Sequence, residues 1–188
     1  MARSTAGRAK RREGSEIARG GIIAIDGPAG SGKSSAARLL AEKLGYRYLD
    51  TGALYRAVGW KALKERVNLD DPEALRAFCA RLDLRLKPTG DGGRTLAVYV
   101  DGRDVTAEIR TPEVSRAATA VAAVPAVRER LLGIQQRVGK QKGAPKGVVV
   151  EGRDIGTVVF PNADLKFFLE AAPEVRGRLF RSPTPIVA

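Results

Sequence analysis

One stretch limits what this chain can fold into more than any other. Gly21-Ile22-Ile23-Ala24-Ile25 is an apolar run suited to a buried strand, and Asp26-Gly27-Pro28-Ala29-Gly30-Ser31-Gly32 is a glycine-rich turn. The chain then enters Ser34–Leu44, where Leu and Ala recur at helical spacing. The turn fits G-x-x-x-x-G-K-[ST] on Gly27, Gly32, Lys33 and Ser34. Glycines let backbone amides close on phosphate oxygens with no Cβ in the way. The start of the helix adds unpaired N–H groups and a partial positive charge. Lys33 can reach the β- and γ-phosphates, and the Ser34 hydroxyl can ligate Mg²⁺. The strand before and the helix after the loop are the context that separates a nucleotide-phosphate loop from an incidental Gly-rich turn.

The 188 residues suffice for one domain with a sizeable core. No apolar run reaches the roughly 20 residues that span a bilayer. Cys79 is the single cysteine, so an internal disulfide is excluded; its Ala/Leu/Phe-rich setting predicts a small buried hydrophobe. The chain has no histidine, which removes imidazole as base or ligand. Its formal charge is +12, which suits polyanionic partners, nucleotide phosphates or nucleic acid. Part of that excess lies in residues 1–20, where Arg3, Arg8, Lys10, Arg11, Arg12 and Arg19 oppose only Glu13 and Glu16. Without hydrophobic periodicity this segment is expected to be a disordered basic tail. It has no secretory h-region, and its acidic residues and missing amphipathic pattern argue against a transit peptide. A nucleic-acid-touching arm is the other reading of it.

Along the rest of the chain, strand and helix signals alternate. Gly45 is a helix stop and Tyr46–Leu49 a short strand. Asp50-Thr51-Gly52-Ala53-Leu54-Tyr55-Arg56 opens a helix to about Arg66 that Thr51 or Asp50 can cap. Thr51, Tyr55 and Arg56 can line one mouth there; an ordinary cap with a surface Arg and a half-buried Tyr reads the same way. Asp71-Pro72-Glu73 starts a helix to about Leu82. Leu84–Lys87 and Thr95–Val100 are strand-like around a Pro88–Gly93 turn cluster, with a second turn at Asp101-Gly102. Residues 84–110 therefore predict a small antiparallel insertion. Helices follow from Pro112 and from Pro125 to about Gln136, then a Lys/Gly/Pro-rich loop over 140–147. The strand Gly147–Val150 ends in Glu151-Gly152-Arg153-Asp154-Ile155-Gly156. Charged side chains at the C-terminal end of a parallel strand sit where open α/β sheets bind ligands. A surface turn with a salt bridge is the plainer alternative. Leu165–Leu169 is a fourth strand, and Ala172-Pro173-Glu174 starts a helix to about Phe180. The alternation predicts an α/β fold with a doubly wound parallel sheet.

These segments carry a resemblance. IAIDGPAGSGKS, YLDTGALYRAV, VDGRDVTAEIRTPEVS, AATAVAAVPAVRERLL and EGRDIGTVVFPNADLKFFLEA, over residues 21–178, are similar to the bacterial-type cytidylate kinases, nucleoside-monophosphate kinases of the P-loop fold. The resemblance implies transfer of the ATP γ-phosphoryl group to CMP or dCMP with Mg²⁺, in the cytoplasm, by a monomer. It implies a three-layer fold with sheet order 2-3-1-4 and a monophosphate-binding insertion near 82–110. The loop Gly27, Pro28, Ala29, Gly30, Ser31, Gly32, Lys33, Ser34 and Ser35 would hold ATP, with Ser34 on the metal. Thr51, Arg56, Arg110 and Arg153 would surround the CMP phosphate, Arg153 and Lys33 being catalytic. Tyr55 would pack on the nucleoside. Asp154 would accept from the cytosine N4 amino group, Arg128 would donate to the acceptor edge, and Thr119 would offer a hydroxyl. Guanidinium suits the phosphate because its fork is planar and always charged.

The sequence departs from the family pattern in two places. Position 29 is Ala where relatives often carry Ser. From Leu179 onward the pattern is not followed: the family's mobile arginine lid, a later arginine- and aspartate-rich segment and a fifth strand have no counterpart, so those parts are expected to be missing. Arginine clamps of this type supply about 10³–10⁵ in rate, which makes an inactive nucleotide-binding fragment one alternative and a kinase for another monophosphate a second. An RNA-binding fragment using the basic tail is a third.

Overall fold

The computed structural model describes residues 21–140 and 147–172. The basic tail, most of the 140–147 loop and the helix expected after Ala172 lie outside the described residues. The elements are β1 (Ile22–Asp26), α1 (Lys33–Leu44), β2 (Arg47–Asp50), α2 (Gly52–Lys64), α3 (Pro72–Arg81), β3 (Leu84–Pro88), β4 (Leu96–Val100), β5 (Arg103–Asp104), α4 (Pro112–Ala123), α5 (Pro125–Gly139), β6 (Val148–Gly152) and β7 (Leu165–Phe168).

Four strands form one parallel sheet in the order β2-β6-β1-β7. Counted within this sheet the order is 2-3-1-4, as the resemblance implied. Alternation along β1 explains the layers: Ile23 and Ile25 point to one face and Ala24 to the other. Ile23 and Ile25 pack with Val149, Tyr46, Tyr48 and the α1 residues Ala37 and Ala41. Ala24 packs with Leu49, Val148, Val150, Ile155, Val159 and Phe160, against Leu132 and Val138 of α5. Helix α1 ends as expected at Gly45, whose φ is +64°; the Gly45 N–H donates to the Glu42 carbonyl and the Tyr46 N–H to that of Ala41.

A second core joins α2, α3, α4 and α5 to the small sheet, with Leu54, Leu75, Val100, Ile109, Val121 and Leu131 fully buried. Cys79 lies in this core as a buried side chain. The insertion has the antiparallel order β3-β4-β5, one strand more than the pattern predicts, because Asp101 and Gly102 take φ of +50° and +83° and turn the chain back as a tight hairpin. The insertion also covers the outer edge of the main sheet. Tyr48 N–H donates to the Arg94 carbonyl at 2.7 Å, and Arg47 Nε donates to that of Gly93 at 3.1 Å. That leaves less of β2 free to pair with another chain.

Asp71 caps α3 as predicted, accepting from Glu73 and Ala74 N–H. The other end of α3 is held from α5: Arg130 donates to the carbonyls of Ala80 and Leu82, both at 2.6 Å. These bonds satisfy acceptors that a helix end leaves open. Arg130→Met keeps the stem and removes both bonds, and is expected to destabilise the fold by about 1–3 kcal/mol, read as a lower midpoint in urea. Among the described residues, no helix is long and apolar enough to cross a membrane.

Candidate active site

Three chain segments meet at the C-terminal ends of β1, β2 and β6. The first is the glycine loop. Gly32 takes φ +82°, and a Cβ on Gly27 would stand 2.2 Å from the Leu169 carbonyl oxygen, so both positions require glycine. Lys33 Nζ donates to the Pro28 carbonyl at 3.1 Å, which folds the ammonium over the loop. The Ser31 hydroxyl is buried in the loop with no partner among the described residues. A phosphate oxygen is the kind of acceptor that such a donor needs. Burial lowers the Lys33 pKa; the Arg153 guanidinium lowers it further, while the carboxylates of Glu151 and Asp50 oppose the shift.

The second segment follows β2. The expected choice of cap resolves to Asp50, whose Oδ1 accepts from Ala53 N–H at 3.1 Å. Thr51 makes no side-chain cap bond, because its hydroxyl donates across the sheet to the Glu151 carbonyl at 2.8 Å. Asp50 Oδ2 pairs with Arg56 Nη2 at 2.6 Å. Arg56 is therefore turned toward the strand ends rather than standing free on the surface. Tyr55 is half-buried and meets Gln135 of α5; burial pushes its phenol above the ordinary range.

The third segment follows β6. Arg153 Nη1 donates to the Gly27 carbonyl at 2.6 Å, so the guanidinium lies directly against the glycine loop. Asp154 Oδ2 pairs with Arg128 Nη2 at 2.6 Å, so the plainer salt-bridge reading of this turn also describes it correctly. The loop is tied to β1 by Asp26, whose carboxylate accepts from the backbone N–H groups of Ile155 at 2.7 Å and Gly156 at 2.8 Å. Gly152 is needed because a Cβ there would sit 2.6 Å from the Thr51 hydroxyl oxygen.

Of the expected site residues, the structure brings Lys33, Ser34, Thr51, Arg56 and Arg153 to one place, with Arg128 and Asp154 beside them. Arg110 ends a short turn at 108–110 and is exposed, and it makes no side-chain ion pair among the described residues. Thr119 lies on the exposed side of α4, where its hydroxyl donates to the Ser115 carbonyl at 3.3 Å. Nothing links either of them directly to the glycine loop. Sequence reading took Asp50 only as a possible helix cap and Glu151 only as one of the charges ending its strand, and it assigned no role to Tyr48 or Asp26. Glu151 is only 2% exposed. It accepts from Ser34 Oγ at 2.8 Å and from the Tyr48 hydroxyl. Burial pushes its carboxyl pKa up and the Asp50 carboxylate adds to this; the two hydroxyls and Lys33 offset part of the shift. A lone carboxylate ending an apolar strand was the available signal for it.

The donor set fits a magnesium–nucleotide complex. Ser34 offers an exposed hydroxyl, and the carboxylates behind it are hard oxygen groups. Among the described residues, no cluster of three or more metal-type side chains could hold an ion alone. An ion at this place would share its coordination with phosphates and water, as Mg²⁺ does.

Several known proteins are similar to this chain. The family model described as cytidylate kinase matches residues 23–181. The chain is 53% identical over 156 residues to the cytidylate kinase of Pelotomaculum thermopropionicum, covering 83% of this chain and 66% of that one. It is 50% identical over 156 residues to the cytidylate kinase of Caldicellulosiruptor bescii, with the same coverage. It is also 50% identical over 157 residues to the bifunctional pantoate ligase/cytidylate kinase of Acaryochloris marina, covering 84% of this chain and 29% of that protein. A crystal structure titled TT1252 from Thermus thermophilus is 26% identical, with a TM-score of 0.40 over 88% of this chain and 74% of that one. The chain thus spans just under two thirds of the length of the single-function relatives and less than one third of the bifunctional one. With a matching model over most of its length and a glycine loop, DTGALYR helix and EGRDIG turn converging on one mouth, the chain belongs to the cytidylate kinase family.

Proposed function

We propose that the chain transfers the γ-phosphoryl group of ATP to CMP or dCMP, giving ADP and the cytidine diphosphate. The observation that carries this reading is the convergence of Lys33, Arg56 and Arg153 on the mouth of the glycine loop, with the Arg128–Asp154 pair beside it. Three cationic groups in one mouth suit two phosphate chains brought end to end. Phosphoryl transfer of this kind is mostly positioning and charge stabilisation, so a protein without histidine can perform it.

In this reading the backbone N–H groups of Gly27–Ser35, Pro28 apart, hold the ATP phosphates. Lys33 releases the Pro28 carbonyl and places its ammonium on the β- and γ-oxygens. The Ser34 hydroxyl is a ligand for Mg²⁺, which when bound neutralises charge on the phosphates. Arg56 exchanges its Asp50 partner for the CMP phosphate, and Arg153 lies between acceptor and donor phosphates. Thr51 and Arg110 complete the acceptor site, and the 82–110 insertion is its wall. The ion pair supports cytosine in particular. Arg128 occupies Asp154 Oδ2 and leaves Oδ1 able to accept from the N4 amino group, while the rest of the guanidinium can donate to the N3/O2 edge. Uracil reverses this pattern at positions 3 and 4 and would set its O4 against a carboxylate. Tyr55 and Thr119 border the nucleoside. In the same reading the chain acts as a monomer in the cytoplasm, as the family resemblance implies.

The test is ADP release from the 188-residue chain with ATP and Mg²⁺ and, in turn, CMP, dCMP, UMP and AMP. Turnover is expected with CMP or dCMP and at least 100-fold lower kcat/KM with UMP, about what a reversed donor–acceptor edge costs. Equal turnover of UMP or AMP would overturn the cytosine assignment. A folded chain that binds ATP and turns over none of the four would overturn the kinase reading for this chain.

A further inference from the structure

The buried Glu151 is held from two sides. Ser34 donates to one carboxylate oxygen at 2.8 Å, and the Tyr48 hydroxyl donates to the other. Strand pairing sets up the second contact. Tyr48 lies opposite Val149 and Asp50 opposite Glu151, so Tyr48 and Glu151 point to the same face, two residues apart along neighbouring strands. A long phenol spans that offset. The Tyr48 ring itself is fixed by packing with Ile23, Ile25, Ala37, Ala41 and Val149 beneath α1, and the Arg38 guanidinium lies 5.4 Å from its centroid. Tyr48 is thus a rigid donor behind a carboxylate that faces the loop serine.

A serine hydroxyl has one proton and two lone pairs. While Ser34 gives its proton to Glu151, its lone pairs face away from that carboxylate, into the open mouth of the loop. If Glu151 turned away, the proton could occupy that side instead. We propose that Tyr48 is a positioning residue for the magnesium–ATP complex: it holds Glu151 in the orientation that draws the Ser34 proton inward and leaves the serine oxygen as a metal ligand. The proposal rests on the kinase reading only for its metal and nucleotide. Phenylalanine at position 48 would keep the ring and its packing and leave one buried carboxylate oxygen without a donor.

The test compares wild type with Tyr48→Phe by calorimetric titration of ATP, once with Mg²⁺ and once with EDTA, and by the Mg²⁺ dependence of turnover. Outer partners of metal ligands are worth about 10–100-fold in metal affinity. Tyr48→Phe is therefore expected to lose about 10-fold in the Mg²⁺-dependent gain of ATP affinity, while affinity in EDTA stays within about 2-fold. In a Ser34→Ala background the same substitution is expected to add no further loss of that gain, since the pair acts through one hydroxyl. Equal weakening with and without Mg²⁺, or no change in either, would overturn the proposal and leave Tyr48 as a packing residue. If Tyr48→Phe fails to fold, Glu151→Gln serves instead. Its side-chain amide puts an N–H₂ donor in place of one carboxylate oxygen and so cannot accept at both positions where the two hydroxyls donate; the same selective loss is expected, and unchanged Mg²⁺-dependent binding would overturn the proposal. A wild type that binds ATP in a Mg²⁺-dependent way but turns over no monophosphate would end the kinase reading and leave the titrations informative about Tyr48.

Discussion

Lys33→Met is expected to lower kcat for CMP phosphorylation by about 10²–10³-fold, with ATP affinity reduced far less. The stem of methionine replaces that of lysine, so the loss is that of a single charge. That charge sits in a half-buried place where water screens it weakly, against the loop proposed to hold the phosphates. Charge that develops during transfer is stabilised there without reorganisation, and one such group is typically worth about 2.7–4 kcal/mol of transition-state energy. Ground-state binding depends more on the loop amides, which the substitution leaves alone. The check is kcat at saturating ATP and CMP beside calorimetric ATP binding, with circular dichroism to show a native fold. A fall of less than 10-fold would mean that Arg56 and Arg153 carry the charge between them.

The second large effect is expected at Asp26, which lies behind the site and is itself buried. Its carboxylate is the shared acceptor for Ile155 and Gly156 N–H, and so holds the loop that carries Arg153 and Asp154. Asp26→Ala would leave two buried backbone donors without partners, each costing about 1–3 kcal/mol. Destabilisation of about 2–5 kcal/mol is expected, with KM for CMP raised at least 10-fold as the loop loses its register. Asp26→Asn keeps one acceptor oxygen and is expected to fall between wild type and the alanine variant. Denaturant midpoints and CMP kinetics on the same preparations separate the two effects. Normal CMP kinetics in a destabilised Asp26→Ala protein would show that Arg128 and the Gly27 carbonyl suffice to place the loop.

The site was partly visible before the fold. Gly27, Gly32, Lys33 and Ser34 stood out because a phosphate loop is a local object: its conformation, amides and helix end are all encoded within a few residues. Arg56, Arg153 and Asp154 were singled out by their places after two strands, while Arg128 and the roles of all four came through family resemblance; the structure puts Arg56 and Arg153 by the loop with the Arg128–Asp154 pair next to them. The groups that went unassigned share a different property. Glu151, Tyr48 and Asp26 do their work through partners more than 100 residues away in sequence. No periodicity or turn chemistry reports such a partner. The same applies to Thr51, which reads as a helix cap and instead bonds to the Glu151 carbonyl.

The sequence by itself determined the local architecture. It marks the strand–loop–helix start, the Gly45 stop, the Asp71-Pro72 helix start, the Asp101-Gly102 turn and the alternation that makes a parallel sheet, because each depends on conformational preferences of adjacent residues. Only the tertiary structure decided which charges face one another. Placing β6 between β1 and β2 sets Glu151 between Ser34 and Tyr48, and sets the Arg153 loop against Gly27. Strand order and register are global properties, fixed by burying both sheet faces at once. A one-residue slip would turn Tyr48 and Glu151 to opposite faces and dissolve the network that holds Ser34.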